Sequence, residues 1–160
     1  MNLLFAGHDL KFAQILIRFF EEHPDFEVKI DRWLGHDRHD ERESEALLAW
    51  ADVIFAEWGL GNAVWYSHHK TSDQVMVVRI HNQEKNTPYF NRMNWAEVDH
   101  LVFISAASKR ELEGKFPFLL KQRSSVVHNV IDAASLNRPK LPGYELNLGL
   151  VGMSPQLKRL

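Results

Sequence analysis

Apolar positions along the chain fall into short continuous runs, separated by stretches where they recur every three or four residues. Residues 2–6 form the first run, stopped by Gly7, and suit a buried strand. Phe12, Ile15, Leu16, Phe19 and Phe20 then follow helical spacing until His23-Pro24-Asp25, with Asp9 placed as the N-cap. Residues 26–30 alternate as a second strand, and residues 41–51 bring Ala46, Leu47, Leu48 and Trp50 near one helical face. A third strand at 53–56 closes on Glu57-Trp58-Gly59-Leu60-Gly61. A short helix over 63–69 and a strongly β-branched fourth strand at 75–80 follow. Residues 101–104 read as a fifth strand, followed by the capping-box pattern Ser108-Lys109-Arg110-Glu111, and residues 124–128 as a sixth. Residues 137–145 hold two prolines and a glycine and read as a linker, with one more strand at 146–151.

Short apolar strands alternating with helices predict an α/β fold, a Rossmann-like, doubly wound and mainly parallel sheet covered on both faces. The expected strand order is 3-2-1-4-5-6, with the first strand central. Residues 1–136 then form one domain, 137–145 a linker, and 146–160 the start of a second domain.

Composition narrows the function classes. The 160 residues are 45% apolar and 25% charged, ordinary for a soluble globular domain. A formal net charge of −2 gives no case for nucleic acid as a partner. The absence of cysteine excludes disulfides, zinc–thiolate sites and thiol catalysis. The N-terminus lacks the basic start and long apolar run of a secretory signal, and no stretch approaches the roughly 20 apolar residues that span a bilayer. The expected location is cytoplasmic.

In parallel sheets ligands bind beyond the carboxyl ends of the strands, so the loops there carry the chemistry. Gly7-His8-Asp9 has one glycine, not the three of a dinucleotide fingerprint, and Asp9 puts negative charge where a phosphate would sit. No phosphate-loop pattern exists, and Asp9 lacks the neighbouring acids of a phospho-receiver. Glu57-Trp58-Gly59-Leu60-Gly61-Asn62 joins a carboxylate, an indole and two glycines, which suits either a carbohydrate contact or a tight turn around a buried tryptophan. Arg79-Ile80-His81-Asn82-Gln83-Glu84 ends the fourth strand on a histidine with a carboxylate three residues on. Such a histidine either faces the ligand crevice or holds the structure by hydrogen bonding.

Four segments, in order, resemble the N-terminal domain of the large retaining family of GT-B glycosyltransferases (family 4). They are Arg79-Ile80-His81; Val98-Asp99-His100-Leu101-Val102-Phe103-Ile104-Ser105; Val126-Val127-His128-Asn129-Val130-Ile131-Asp132; and Leu148-Gly149-Leu150-Val151-Gly152 with Lys158. They span about the last half of the chain. Val130 stands where the family usually has glycine, and Met153 where it usually has arginine.

The resemblance implies a two-domain transferase, metal-independent and without a cofactor, working in polysaccharide biosynthesis. It moves a sugar from a nucleotide-sugar, the co-substrate, to a saccharide or lipid-linked acceptor, with retention. The donor-binding half, with its paired glutamates, lies beyond these residues, so the chain reads as a fragment with its hinge near 139–143. His81 is implied as the catalytic-site histidine beside the donor sugar. Gly7, His8, Trp58 and Glu84 are assigned acceptor or sugar contacts, and Gly152 and Lys158 the donor phosphate. The other class of reading is a non-catalytic Rossmann-like module that binds a ligand or partner protein.

Two further clusters hold residues of chemical interest. His36-Asp37-Arg38-His39-Asp40 and His68-His69 have the residue types of a metal site, but zinc needs three or four convergent ligands and His68 and His69 should diverge. No metal is expected. Lys109, Arg110, Lys115, Lys121 and Arg123 surround Phe116-Pro117-Phe118-Leu119-Leu120, a composition that fits peripheral contact with an anionic membrane at its inner face or an apolar block packed on the sheet.

Overall fold

The computed structural model describes residues 1–136, 139, 142 and 143. The chain divides into two compact units, Met1–Val130 and Ile131–Leu160. Within the second, one helical turn lies at Ala133–Leu136. The expected linker, the strand at 146–151, Gly152 and Lys158 lie outside the described residues.

The first unit is a six-stranded sheet in which every neighbouring pair is parallel. Its strands are β1 (Asn2–Gly7), β2 (Glu27–Arg32), β3 (Val53–Glu57), β4 (Val75–Ile80), β5 (His100–Phe103) and β6 (Ser124–Val126). Helices α1 (Gln14–Glu21), α2 (Glu41–Trp50), α3 (Gly61–His69) and α4 (Ala106–Lys115) connect them, with short 3-10 turns between β4 and β5. The α/β Rossmann-like fold expected from the periodicity is the fold observed.

Alternation along each strand separates two cores. Leu3 and Phe5 face α1, packing with Leu10, Ala13 and Ile17 and with the half-buried Val53 and Phe55. Leu4, Ala6, Ile54, Ala56, Met76, Val78, Ile80, Leu101 and Phe103 form the larger core, with Leu48 of α2, Ala63, Val64 and Tyr66 of α3, and Leu112 of α4. Helices α2, α3 and α4 pack on one face, and α1 covers the β1 end of the other, where Phe55, Val77 and Val102 line an apolar cavity. Beneath the end of β2, the buried Asp31 Oδ2 accepts from Trp33 Nε1, Ser44 Oγ and Tyr66 OH, which ties β2 to α2 and α3.

The strand order is β2-β1-β3-β4-β5-β6, not 3-2-1-4-5-6. β1 is second from the edge, paired with β2 through Leu3↔Val28 and with β3 through Leu3↔Val53. The physical reason is polarity. β2 carries Glu27, Lys29 and Arg32, all exposed, which an edge strand tolerates and an interior one does not. β3 is almost wholly apolar and takes the interior place. The chain runs one way from β1 to β2 and the other way from β3 onward, so the topological switch point lies between β1 and β3.

Two cap assignments also change. Asp9 does not cap α1: its carboxylate takes the backbone N–H and ammonium of Lys11, and the helix begins after Ala13. Ser105, not Ser108, caps α4, accepting from Ser108 N at 3.0 Å. A hydroxyl on extended backbone can reach a free helix N–H, while Ser108 is already helical.

Candidate functional site

The carboxyl ends of β1, β3 and β4 stand side by side, and each delivers a polar residue where its apolar run stops. Glu57 and Arg79 are directly paired in register on β3 and β4. Both face the α1 side, following Val53 and Phe55 on one strand and Val75 and Val77 on the other. Arg79 Nε donates to Glu57 Oε2 at 2.7 Å and Nη2 to Oε1 at 2.8 Å, a two-pronged pair in which Glu57 is fully buried. The His81 imidazole joins the same carboxylate, with Nε2 3.0 Å from Oε1.

Aromatic rings enclose this group. Trp58 stacks on His81 with centroids 3.8 Å apart and planes at 27°, and Phe12 lies 5.1 Å from the imidazole. Trp58 holds φ at +73°, the left-handed region that a bulky residue rarely adopts. Such a conformation costs about 1–3 kcal/mol and persists only when its surroundings fix it. The fixing contacts are the His81 stack and the indole N–H, which donates to Asp9 O at 2.8 Å.

Glu84 anchors the loops from below. Its Oε1 accepts from His81 N at 2.9 Å and Gly59 N at 3.2 Å, joining the β4 exit to the β3 exit. Its Oε2 is buried with no hydrogen-bond partner among the described residues. Burial pushes the carboxyl up from its ordinary value, and the two backbone N–H donors oppose that rise. Asn62 works in the same way between β1 and β3, its Nδ2 donating to Ala6 O at 2.8 Å and Glu57 O at 3.0 Å.

The rim is imidazole-rich. His8 meets His36 edge-to-face at 4.7 Å and lies 6.3 Å from Trp58, and His36 lies 6.3 Å from Tyr89. Burial, then the His36 imidazole, holds His8 below the ordinary histidine range. Gly7 makes the close approach beneath it. A Cβ there would stand 2.8 Å from Glu57 O, so only glycine lets the ends of β1 and β3 meet as they do.

The first-unit residues assigned from sequence thus come together: Gly7, His8, Trp58, His81 and Glu84 belong to one contiguous cluster. Their surroundings differ from an open crevice. His81 is 3% exposed, and Trp58 has one ring face against it. Phe12 and the Glu57–Arg79 pair as a unit carried no expectation from the sequence, and His36 was singled out only as a possible metal ligand. The signal for the pair was present, opposite charges ending two buried strands, but it required knowing that β3 and β4 are neighbours.

The two histidine clusters meet around one cavity, lined by His39, His68 and His69 with Asp37 and Trp65, but their rings take separate partners. His39 stacks on Trp33 at 3.8 Å with Nδ1 against Ser44 Oγ. His68 bonds to Arg92 O and His69 to Trp65 O. Among the described residues no group of three or more potential ligands could hold a metal ion. No family model and no curated protein matches the chain.

The raised Glu84 carboxyl has a consequence for stability. Because the native state holds this proton more tightly than the unfolded chain, stability falls as pH rises above about 4.5 through the folded-state value. Glu84→Gln removes that titration, so its stability relative to wild type should rise across the window by at most about 1.4 kcal/mol per pH unit. Urea midpoints of both proteins between pH 4.5 and 7.5 measure it, and parallel pH profiles would contradict the burial argument.

Proposed function

We propose that this chain supplies the acceptor-side half of a metal-independent, retaining GT-B glycosyltransferase. The reaction is transfer of a sugar from a nucleotide-sugar to a saccharide or lipid-linked acceptor, in polysaccharide synthesis. The observation that carries the reading is convergence. Gly7, His8, Trp58, His81 and Glu84 come from three separate loops and meet beside the β1/β3 switch point, where open parallel sheets bind ligands. The order of segments resembling that family supports the same reading.

In it, His81 hydrogen-bonds the reacting sugar or acceptor, His8 and Gly7 border the acceptor, Trp58 supplies an apolar ring, and Glu84 orients the loop. Donor phosphate contacts fall to Gly152, Lys158 and a donor-binding domain. The expected setting is the cytoplasm, with contact at the inner membrane face through the basic segment around 116–120. There Phe118 and Leu120 are exposed while Leu119 is buried. No helix of the described residues is long and apolar enough to cross a membrane.

Since this half lacks most donor contacts, calorimetric titration of the 160 residues with a panel of nucleotide-sugars should detect no micromolar binding. A micromolar Kd, worth about 8 kcal/mol, would show the donor site is misplaced. The chain joined to its donor-binding domain should release nucleoside diphosphate from one of those sugars. Release from none would favour the second reading, a non-catalytic Rossmann-like binding module. The near-complete enclosure of Glu57 and His81 is the observation on that side.

A further inference from the structure

A buried histidine that touches one carboxylate has its proton placed by that carboxylate's own charge state. Glu57 accepts from Arg79 through both oxygens, Oε2 from Nε and Oε1 from Nη2. The two-pronged guanidinium contact is the charge-assisted pairing of an ionised, acceptor-only carboxylate, which has no proton to give His81. His81 Nε2, 3.0 Å from Oε1, must then be the protonated ring nitrogen. In the neutral imidazole that leaves the lone pair on Nδ1, which has no hydrogen bond to the protein among the described residues. A half-turn of the ring about Cβ–Cγ keeps its plane but sets Cε1 in place of Nε2, so the hydrogen bond to Glu57 holds the orientation shown.

We propose that Glu57, held by Arg79, is a positioning residue that fixes His81 as the Nε2–H tautomer and presents Nδ1 as a hydrogen-bond acceptor to a ligand hydroxyl. A hydroxyl has a proton to donate to that lone pair; a phosphate dianion or carboxylate has none. The site therefore selects a polyol group, such as a sugar hydroxyl, over the anionic part of a nucleotide-sugar. The hydroxyl part of this inference rests on the transferase reading, whereas the tautomer stands independently of it.

The experiment is long-range proton–nitrogen NMR of the 160-residue chain labelled with imidazole-15N histidine, above the histidine titration range. His81 is assigned by the signals lost in His81→Phe. The expected spectrum shows a single tautomer, protonated at Nε2 and unprotonated at Nδ1. An Nδ1–H form, or averaged nitrogens, would overturn the proposal. The double variant Glu57→Leu with Arg79→Met replaces the ion pair by apolar groups, a change buried pairs often tolerate. There the fixed tautomer should be lost, and its persistence would show that Glu57 does not set it. If the double variant fails to fold, the wild-type spectrum alone decides the tautomer.

Glucose and inorganic phosphate serve as probes of ligand class. The Nδ1 resonance should move with glucose and not with phosphate; movement with phosphate alone, or with neither, overturns the hydroxyl assignment. A fixed tautomer and a glucose response in a protein whose complete form transfers no sugar would refute the transferase reading and leave the positioning role intact.

Discussion

Arg79→Met should destabilise the protein by about 3–5 kcal/mol, because it leaves the Glu57 carboxylate buried without its counter-charge. Glu57 has no exposed surface, and its remaining side-chain partner is the His81 imidazole. Arg79 also lies over the Phe55 ring, 5.6 Å from its centroid, so some apolar packing is retained by methionine and the loss is mainly electrostatic. Urea midpoints at neutral pH give the number. The double variant Glu57→Leu with Arg79→Met should lie well above Arg79→Met alone in stability, since no charge is then stranded. Equal destabilisation of the two would mean that packing, not charge, makes Arg79 necessary.

Gly61→Ala should cost about 3 kcal/mol, the upper end for forced overpacking. A Cβ on Gly61 would overlap the His36 carbonyl oxygen and stand 2.7 Å from Asp37 Cα. Both are backbone atoms, so neither can give way by a change of rotamer. The displaced segment would be the one that sets His36 against His8, and the rim should loosen along with the fold. Gly35→Ala is the matched control, because nothing lies within 4 Å of its Cβ position. It should stay within about 0.5 kcal/mol of wild type. A Gly61→Ala protein as stable as that control would show that the β2–α2 loop does not pack on the start of α3.

How much of this was legible in the sequence follows from which interactions are local. Strand β4, rich in β-branched residues, keeps the bounds Val75–Ile80 expected from its pattern. Helix α2 begins where Asp40 accepts from Glu43 N, a contact within one turn. Strand order is not local: it turns on the charges of β2, which hydrophobic periodicity does not register. Glu27, Lys29 and Arg32 mark an edge, and reading them so would have moved β3 beside β4. That misplacement hid the Glu57–Arg79 pair, since the expected order sets those strands apart. His81 and Glu84 were visible as polar residues ending an apolar strand. That Glu57 would bind the imidazole and Trp58 cover it depends on a tryptophan at positive φ, which sequence pattern does not reveal.

The proposal that the carboxyl-edge cluster acts on a sugar is tested most directly by His81→Ala in this chain joined to the proposed donor-binding domain. The variant loses the ring that stacks on Trp58 but keeps the Glu57–Arg79 pair and the Glu84 bonds to backbone N–H, so its Tm should fall by a few degrees with the fold retained. Loss of one hydrogen bond to the transition state should lower turnover on the order of 10²-fold. Turnover and Tm are to be measured together on the same preparations. A folded variant with near-normal turnover would contradict a role for His81 in the reaction, and a collapsed Tm would place the histidine in the structure rather than the chemistry.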